Sequence, residues 1–319
     1  MTRVIDAHSH VLNQDYYDIL AKHGALKEDG FPLPKWDAQT NLEMMEKGGV
    51  VWTLMSLSSP HPFFGDAAET AAFCRGFNEF CAEQVREHPD KFGFCAVLPL
   101  PDVDAAIEEA IYALEELGAK GVKLASNSRG QYLGDAELDP LFKELNKRGS
   151  VVILHPHRPT PQQEGIFSAG PVPLYEFLAD TTRGILNMIA HDVPVRYPNV
   201  KIVVPHCGSF LPNIAGRVKM LQPILVNNGM MDPVNVDDNL SRLYYDTAGS
   251  PVPYMLKLLL TITTPDHVMY GGDYPFTNAE IVLANLEKLK DFLANDPELA
   301  PHADAILYAN AAKMFGLEG

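Results

Sequence analysis

The sequence predicts an α/β fold in which eight parallel strands close into a (β/α)₈ TIM barrel, as a single domain over residues 1–319. Three observations lead there. Short β-rich runs alternate with helix-like stretches along the whole chain, which implies parallel strands joined by crossovers. The runs number eight, which suits a closed barrel better than an open sheet. No glycine-rich dinucleotide fingerprint follows any early run.

The runs are Arg3–Ala7, Val50–Leu57, Gly93–Leu98, Gly121–Leu124, Val151–His155, Lys201–Pro205, Arg242–Asp246 and His267–Gly271. Helical patterns occupy Ala67–Glu87, Val103–Leu117, Asp139–Arg148, Leu174–Val193, Leu211–Leu221, Val252–Leu260 and Asn278–Ala294. A last helix, His302–Phe315, closes the chain. Two long connections break the rhythm, Leu12–Asp37 and Pro156–Pro173. Connections this long inside a compact domain are usually functional or disordered. Both leave strand C-termini, where barrel enzymes build their sites. There is no internal repeat, low-complexity tract or interdomain linker.

Composition narrows the function. The chain carries 25 basic and 41 acidic residues, a net charge of −16. Phosphate backbones need a basic surface, so nucleic acid is excluded as a partner. The acidity itself implies solubility. No run approaches the roughly 20 apolar residues that span a bilayer. The start, MTRVIDAHSH, lacks the apolar core of a secretory signal, so a cytoplasmic protein is expected. Cys74, Cys81, Cys95 and Cys207 have neither zinc-knuckle nor disulfide-scaffold spacing, and are read as reduced.

Within "VIDAHSHVL", from Val4, strand alternation places Asp6, His8 and His10 on one face. An exposed edge, two core histidines or a metal site would each explain that pattern. The other strand ends favour the metal site. His155 ends the fifth run, His206 follows the sixth and Asp273 follows the eighth. Closing the barrel brings these groups toward one axis. Imidazole nitrogens with a carboxylate suit a divalent cation of intermediate hardness. His8, His10, His155 and Asp273 as ligands leave a coordination position open, as a catalytic metal requires. His206 then becomes a proton shuttle, since its unperturbed pKa lies near physiological pH. Asp6, one layer deeper, is expected to orient the ligand histidines, and Asp246 to support the site.

The motifs DAHSH (Asp6–His10), GVKL (Gly121–Leu124), VVILHP (Val151–Pro156), VVPHCGSFLP (Val203–Pro212), YYDTAG (Tyr244–Gly249) and YGGDYPF (Tyr270–Phe276) occur in this order over nearly the whole chain. As a set they resemble the amidohydrolase superfamily, in its decarboxylase-like branch with aminocarboxymuconate semialdehyde decarboxylase. The stretch Gly121–Pro156 is most similar to the 6-methylsalicylate decarboxylase sub-branch. The resemblance implies a distorted barrel and one catalytic metal per chain, zinc foremost with manganese as the alternative. It implies His8, His10, His155 and Asp273 as ligands and His206 as the catalytic histidine, with Asp273 able to assist. Lys123 sits on the fourth strand, where some branches bridge two metals. This branch is mononuclear, so Lys123 is expected beside the site rather than on the metal.

The implied reaction is non-oxidative decarboxylation of an aromatic or unsaturated carboxylic acid. Metal-dependent hydrolysis of a lactone, ester or amide is the alternative, with hydratase chemistry third and a non-catalytic metal-binding barrel last. Arg217 matches an arginine that grips substrate carboxylate across a subunit interface, which implies a homodimer. The second arginine of that grip has no counterpart, because Ser9–Val50 contains only lysines. Lysine does not hold a carboxylate bidentately, so a monocarboxylate is favoured over a dicarboxylate. His157, His61 and Phe276 are the remaining candidates for substrate contact.

Overall fold

The structure is a computed structural model that describes residues 3–161 and 170–318. Part of the predicted Pro156–Pro173 connection, residues 162–169, lies outside the described residues. Eight parallel strands follow one another in sequence order: β1 (Val4–His10), β2 (Val50–Ser56), β3 (Phe92–Val97), β4 (Gly121–Ala125), β5 (Val151–His155), β6 (Lys201–Val204), β7 (Tyr244–Asp246) and β8 (Val268–Met269). They form the barrel that the sequence predicts, in a single domain.

The barrel closes unevenly. β8 is two residues long, shorter than the expected His267–Gly271. β1 completes the seam with chain that has already left β8. Ala7 N–H donates to Tyr270 O at 2.9 Å, and His10 N–H donates to Tyr274 O at 2.7 Å.

Two apolar layers hold the strands. Outward residues such as Val4, Phe94, Val152 and Val268 pack under the helices. Inward residues Ile5, Trp52, Leu54, Ile153, Val203 and Met269 fill the lower barrel against Ala311 and Phe315 of the last helix. Trp52 lies over Gly93, where a Cβ would sit 2.1 Å from the indole. Filling the N-terminal half with apolar side chains leaves only the C-terminal end for chemistry.

Strict alternation fails in β1. Ile5 and Ala7 line the lower interior, yet the His8 and His10 rings also point inward. Register explains this. Asp6 pairs with Thr53 and Ser9 with Met55, three steps on one strand against two on the other. This bulge puts Asp6 on the outer side of the strand, beside Gly272, Tyr270 and Val282. The expectation that Asp6 shares a face with His8 and His10 is therefore corrected.

The coat contains α1 (Gln14–Lys22), α2 (Ala38–Gly48), α3 (Ala67–Glu87), α4 (Val103–Glu115), α5 (Asp139–Arg148), α6 (Glu176–Ala190), α7 (Val193–Arg196), α8 (Leu211–Asn227), α9 (Val236–Ser241), α10 (Met255–Leu259), α11 (Ala279–Asn295) and α12 (Asn310–Phe315). α9 lies in no predicted helix, and two earlier helices also correct the sequence reading. α1 lies inside the predicted connection Leu12–Asp37, and α2 was not foreseen. Each has a local signal: Asn13 caps Tyr16 N–H and Asp37 caps Thr40 N–H. Tyr16, Ile19 and Leu20 then face inward, as do Asn41, Met44 and Met45. α8 runs past the expected end at Leu221 and through Pro223. After Ala215 no residue is fully buried, and Val218, Leu221, Leu225 and Val226 are half-buried at helical spacing. Among the described residues, no helix is long and apolar enough to cross a membrane.

Candidate metal centre and substrate cavity

Each donor arrives from a strand end. β1 delivers His8 and His10 through its bulge, and β5 delivers His155 as its last residue. Asp273 lies four residues beyond β8, at a φ of 62°. One donor atom from each of the four lies within 4.8 Å of the other three, in a group that could hold a metal ion. His8 Nε2 and His10 Nε2 are 3.2 Å apart. Asp273 Oδ1 is 3.1 Å from His10 Nε2 and 3.6 Å from His8 Nε2. An ion about 2.1 Å from each atom would span these separations.

The far side of every ring meets oxygen. His8 Nδ1 is 2.8 Å from Asp246 Oδ2. His10 Nδ1 is 3.4 Å from Ser56 O, and His155 Nδ1 is 2.9 Å from Pro156 O. A ring that donates through Nδ1 presents a bare lone pair at Nε2. Three such nitrogens and a carboxylate, converging in a buried site, fit a divalent cation.

The charges agree. Burial opposes ionisation of Asp273, but the His10 hydrogen bond and the neighbouring histidines outweigh it and hold its pKa at about 2. Burial lowers His10 to about 4 and lowers His155 well below its ordinary value. Both rings are therefore neutral and able to ligate near pH 7. Burial also disfavours a charged His8, yet Asp246 raises it to about 9, so near pH 7 a cation would bind there in place of a proton. His206 begins a tight turn after β6 with a φ of 58°, and its N–H donates to Asp246 Oδ1 at 3.0 Å. Its ring stands 5.2 Å from that of His8, between centroids. Burial and the nearby His8 lower its pKa. Its Nδ1 is buried with no hydrogen-bond partner among the described residues.

Above the cluster lies a cavity of about 290 Å³, with His155, His206 and Asp273 at its base. Phe31, Pro173, Phe177, Leu178 and Phe276 make its walls. Ser58 and Thr277 also line it, and a cavity with these mostly apolar walls and few polar groups suits an aromatic ring.

The sequence model of the amidohydrolase family matches residues 5–317. The chain belongs to the amidohydrolase family. Among curated proteins, this amidohydrolase is 29% identical over 283 residues to 6-methylsalicylic acid decarboxylase of Penicillium expansum, covering 88% of this chain and 87% of the relative. It is 30% identical over 327 residues to decarboxylase yanB of Aspergillus niger, covering 98% and 87%. In fold it is similar to 5-carboxyvanillate decarboxylase of Novosphingobium aromaticivorans, solved with manganese and 4-hydroxy-3-methoxy-5-nitrobenzoic acid. The TM-score is 0.88 at 20% identity, covering 98% of this chain and 96% of that one. The resemblance to decarboxylases rather than hydrolases is thus the one that the curated relatives carry.

Other candidates take varied places in this amidohydrolase. Phe276 lines the cavity, with its ring 5.4 Å from that of His10. His61 and His157 line a separate void of about 10 Å³. Lys123 donates to His157 Nε2 at 2.7 Å and to Ser58 O at 3.2 Å, and its charge acts on His155. Asp6 accepts from His8 N–H and Gly272 N–H, so it holds backbone rather than a ring. Arg217 is exposed on α8 and does not line this chain's cavity. Its helix starts beside the site, but six residues at 1.5 Å each carry it about 9 Å along the axis. Cys207 is buried packing, its thiol pKa pushed up by burial.

Sequence reasoning missed Ser58 and Thr277. Ser58 Oγ is 3.4 Å from His155 Nε2, and Thr277 Oγ1 donates to Asp273 Oδ2 at 3.3 Å. Thr277 stands four residues after Asp273, close enough to have been considered. Ser58 had no such signal.

Proposed function

We propose that this chain is a metal-dependent, non-oxidative decarboxylase of an aromatic monocarboxylic acid. The observation that carries the reading is the convergence of His8, His10, His155 and Asp273 beneath an apolar-walled cavity that His155 and Asp273 line. Those four residues would hold one divalent cation, with zinc as the first choice and manganese as the alternative. The bound cation supplies Lewis acidity that stabilises negative charge on substrate oxygens.

The chain's own groups do the rest. Phe177, Leu178 and Phe276 sandwich the ring and exclude water, which strengthens every charge interaction at the base. His206 faces the carbon that carries the carboxylate. The C–C bond breaks, CO₂ leaves with neither oxidation nor reduction, and the electron pair remains on the ring carbon. A proton delivered from His206 replaces the lost group. Solvent returns a proton to His206 once product has left, and Asp273, held ionised, stabilises the charged imidazole.

A homodimer and a cytoplasmic location belong to the same reading. Arg217 shares the outer length of α8 with exposed Met220 and Ile224, which supports a subunit contact there. Four buried, unpaired cysteines support a reducing compartment.

The test is elemental analysis of protein purified without added metal, run beside a CO₂-release screen of hydroxybenzoates that includes 6-methylsalicylate and 2,6-dihydroxybenzoate. About one metal per chain with CO₂ release supports the proposal. Metal without CO₂, together with hydrolysis of a lactone or amide, overturns it.

A further inference from the structure

Beyond β4 the chain makes a short hairpin, Asn127–Ser128 against Gln131–Tyr132. Its tip is Arg129-Gly130, with φ values of 54° and 102°. Two-residue turns of this hand favour Asn-Gly or Asp-Gly, and an arginine there is strained. Such strain persists where the surroundings over-determine it.

The guanidinium shows what holds it. Arg129 Nη1 and Nη2 donate to the two carboxylate oxygens of Glu28, a bidentate grip. Nη2 also donates to His61 O at 3.1 Å, and Nε to Phe63 O at 3.0 Å. The group lies 4.9 Å from the centre of the Phe64 ring. One side chain thus fastens together the loops after β1, β2 and β4. The loop after β5 joins them: Arg158 Nη1 donates to Glu28 O at 3.1 Å, and Val172 N–H donates to Asp29 O at 2.9 Å. Gly30 sits so close to Pro171 that a Cβ would lie 3.3 Å from its Cα. The segments pinned here carry Phe31 and Pro173, two walls of the cavity, although Arg129 does not line it.

We propose that Arg129 is a positioning residue that sets substrate size, by fixing the Phe31–Pro173 wall through Glu28. The choice of substrates rests on the decarboxylase reading. With the grip broken, the wall moves outward: small acids lose packing and bulky ones gain room. Binding then suffers more than chemistry, because His206 and the metal cluster stay in place.

The test compares wild type with R129M, E28Q and F31A. Each is assayed for metal content and for CO₂ release from salicylate and from 1-hydroxy-2-naphthoate. R129M should keep its metal, raise KM for salicylate roughly tenfold and leave kcat within about threefold. The ratio of kcat/KM should move toward the naphthoate by a similar factor, and E28Q and F31A should move it the same way. An unchanged ratio in the metal-loaded variants overturns the proposal, and E28Q with F31A decides if R129M does not fold. If wild type releases CO₂ from neither acid, the decarboxylase reading is decided by the wider screen above, and calorimetric affinities for benzoate and 2-naphthoate replace kinetics. Equal affinity ratios in wild type, E28Q and F31A, or no binding of either acid, then overturn the wall proposal as well.

Discussion

Asp246 holds His8 from behind, with its Oδ2 2.8 Å from the ring Nδ1 and both side chains buried. The same carboxylate accepts the His206 N–H at 3.0 Å through its other oxygen. It also accepts the Ala248 N–H. One residue therefore aims a proposed ligand and anchors the turn that presents the proposed proton donor. Replacing Asp246 with Asn should lower metal affinity about 10–100-fold, as loss of a carboxylate behind a ligand histidine does elsewhere. Competition against a chelator measures it, and unchanged affinity would show that His8 needs no such support.

Gly271 leaves room for that pair. A Cβ there would lie 2.7 Å from His8 Cβ and 3.2 Å from Asp246 Cβ. Gly271→Ala should therefore reduce metal content, although no atom of residue 271 reaches the converging donors. Metal per chain equal to wild type would mean that the backbone yields at this point.

His206 is proposed to serve the reaction and not the metal. His206→Gln should retain about one metal per chain and lose roughly 10²–10⁴-fold in kcat, the usual range for a positioned proton donor. Loss of metal in this variant would move His206 among the ligands. Full turnover would remove it from the mechanism.

Lys123 titrates in an unusual place. Burial pushes its pKa from 10.5 to about 7, against weaker opposing effects from Cys74 and Asp29. The unfolded chain keeps this proton up to about pH 10.5, while the folded chain releases it above about 7. The stability it contributes is thus full above pH 10.5 and is lost as pH falls toward 7. Lys123→Met should flatten that slope and stabilise the protein near pH 7 by up to about 4 kcal/mol. Urea midpoints at pH 7, 8.5 and 10 test this. Parallel profiles for the two proteins would place the proton's effect elsewhere.

Legibility differed by element. Helices α3 and α5 were readable to the residue, because Asp66 caps the start of α3, and Pro140 and Gly149 bound α5. α1 and α2 were not, since a proline- and glycine-rich segment between them masked two short amphipathic patterns. The metal-competent residues were readable because histidines and an aspartate at strand ends are rare and costly to bury without a purpose. The walls were not, because Phe31, Pro173 and Phe177 look like any packing residue until the loops are placed.

By itself the sequence determined the alternation that makes a parallel barrel, the chemical types at the strand ends, and the net charge of −16. Those follow from local periodicity and side-chain chemistry. Only the tertiary structure decided which way Asp6 points, because a bulge in β1 resets the alternation between Ala7 and His8. It alone separated His61 and His157 from the main cavity, and it alone brought Arg129 to Glu28 across 101 positions of chain. Register slips and long-range pairings depend on how strands and loops meet in space, and no local window of sequence contains that information.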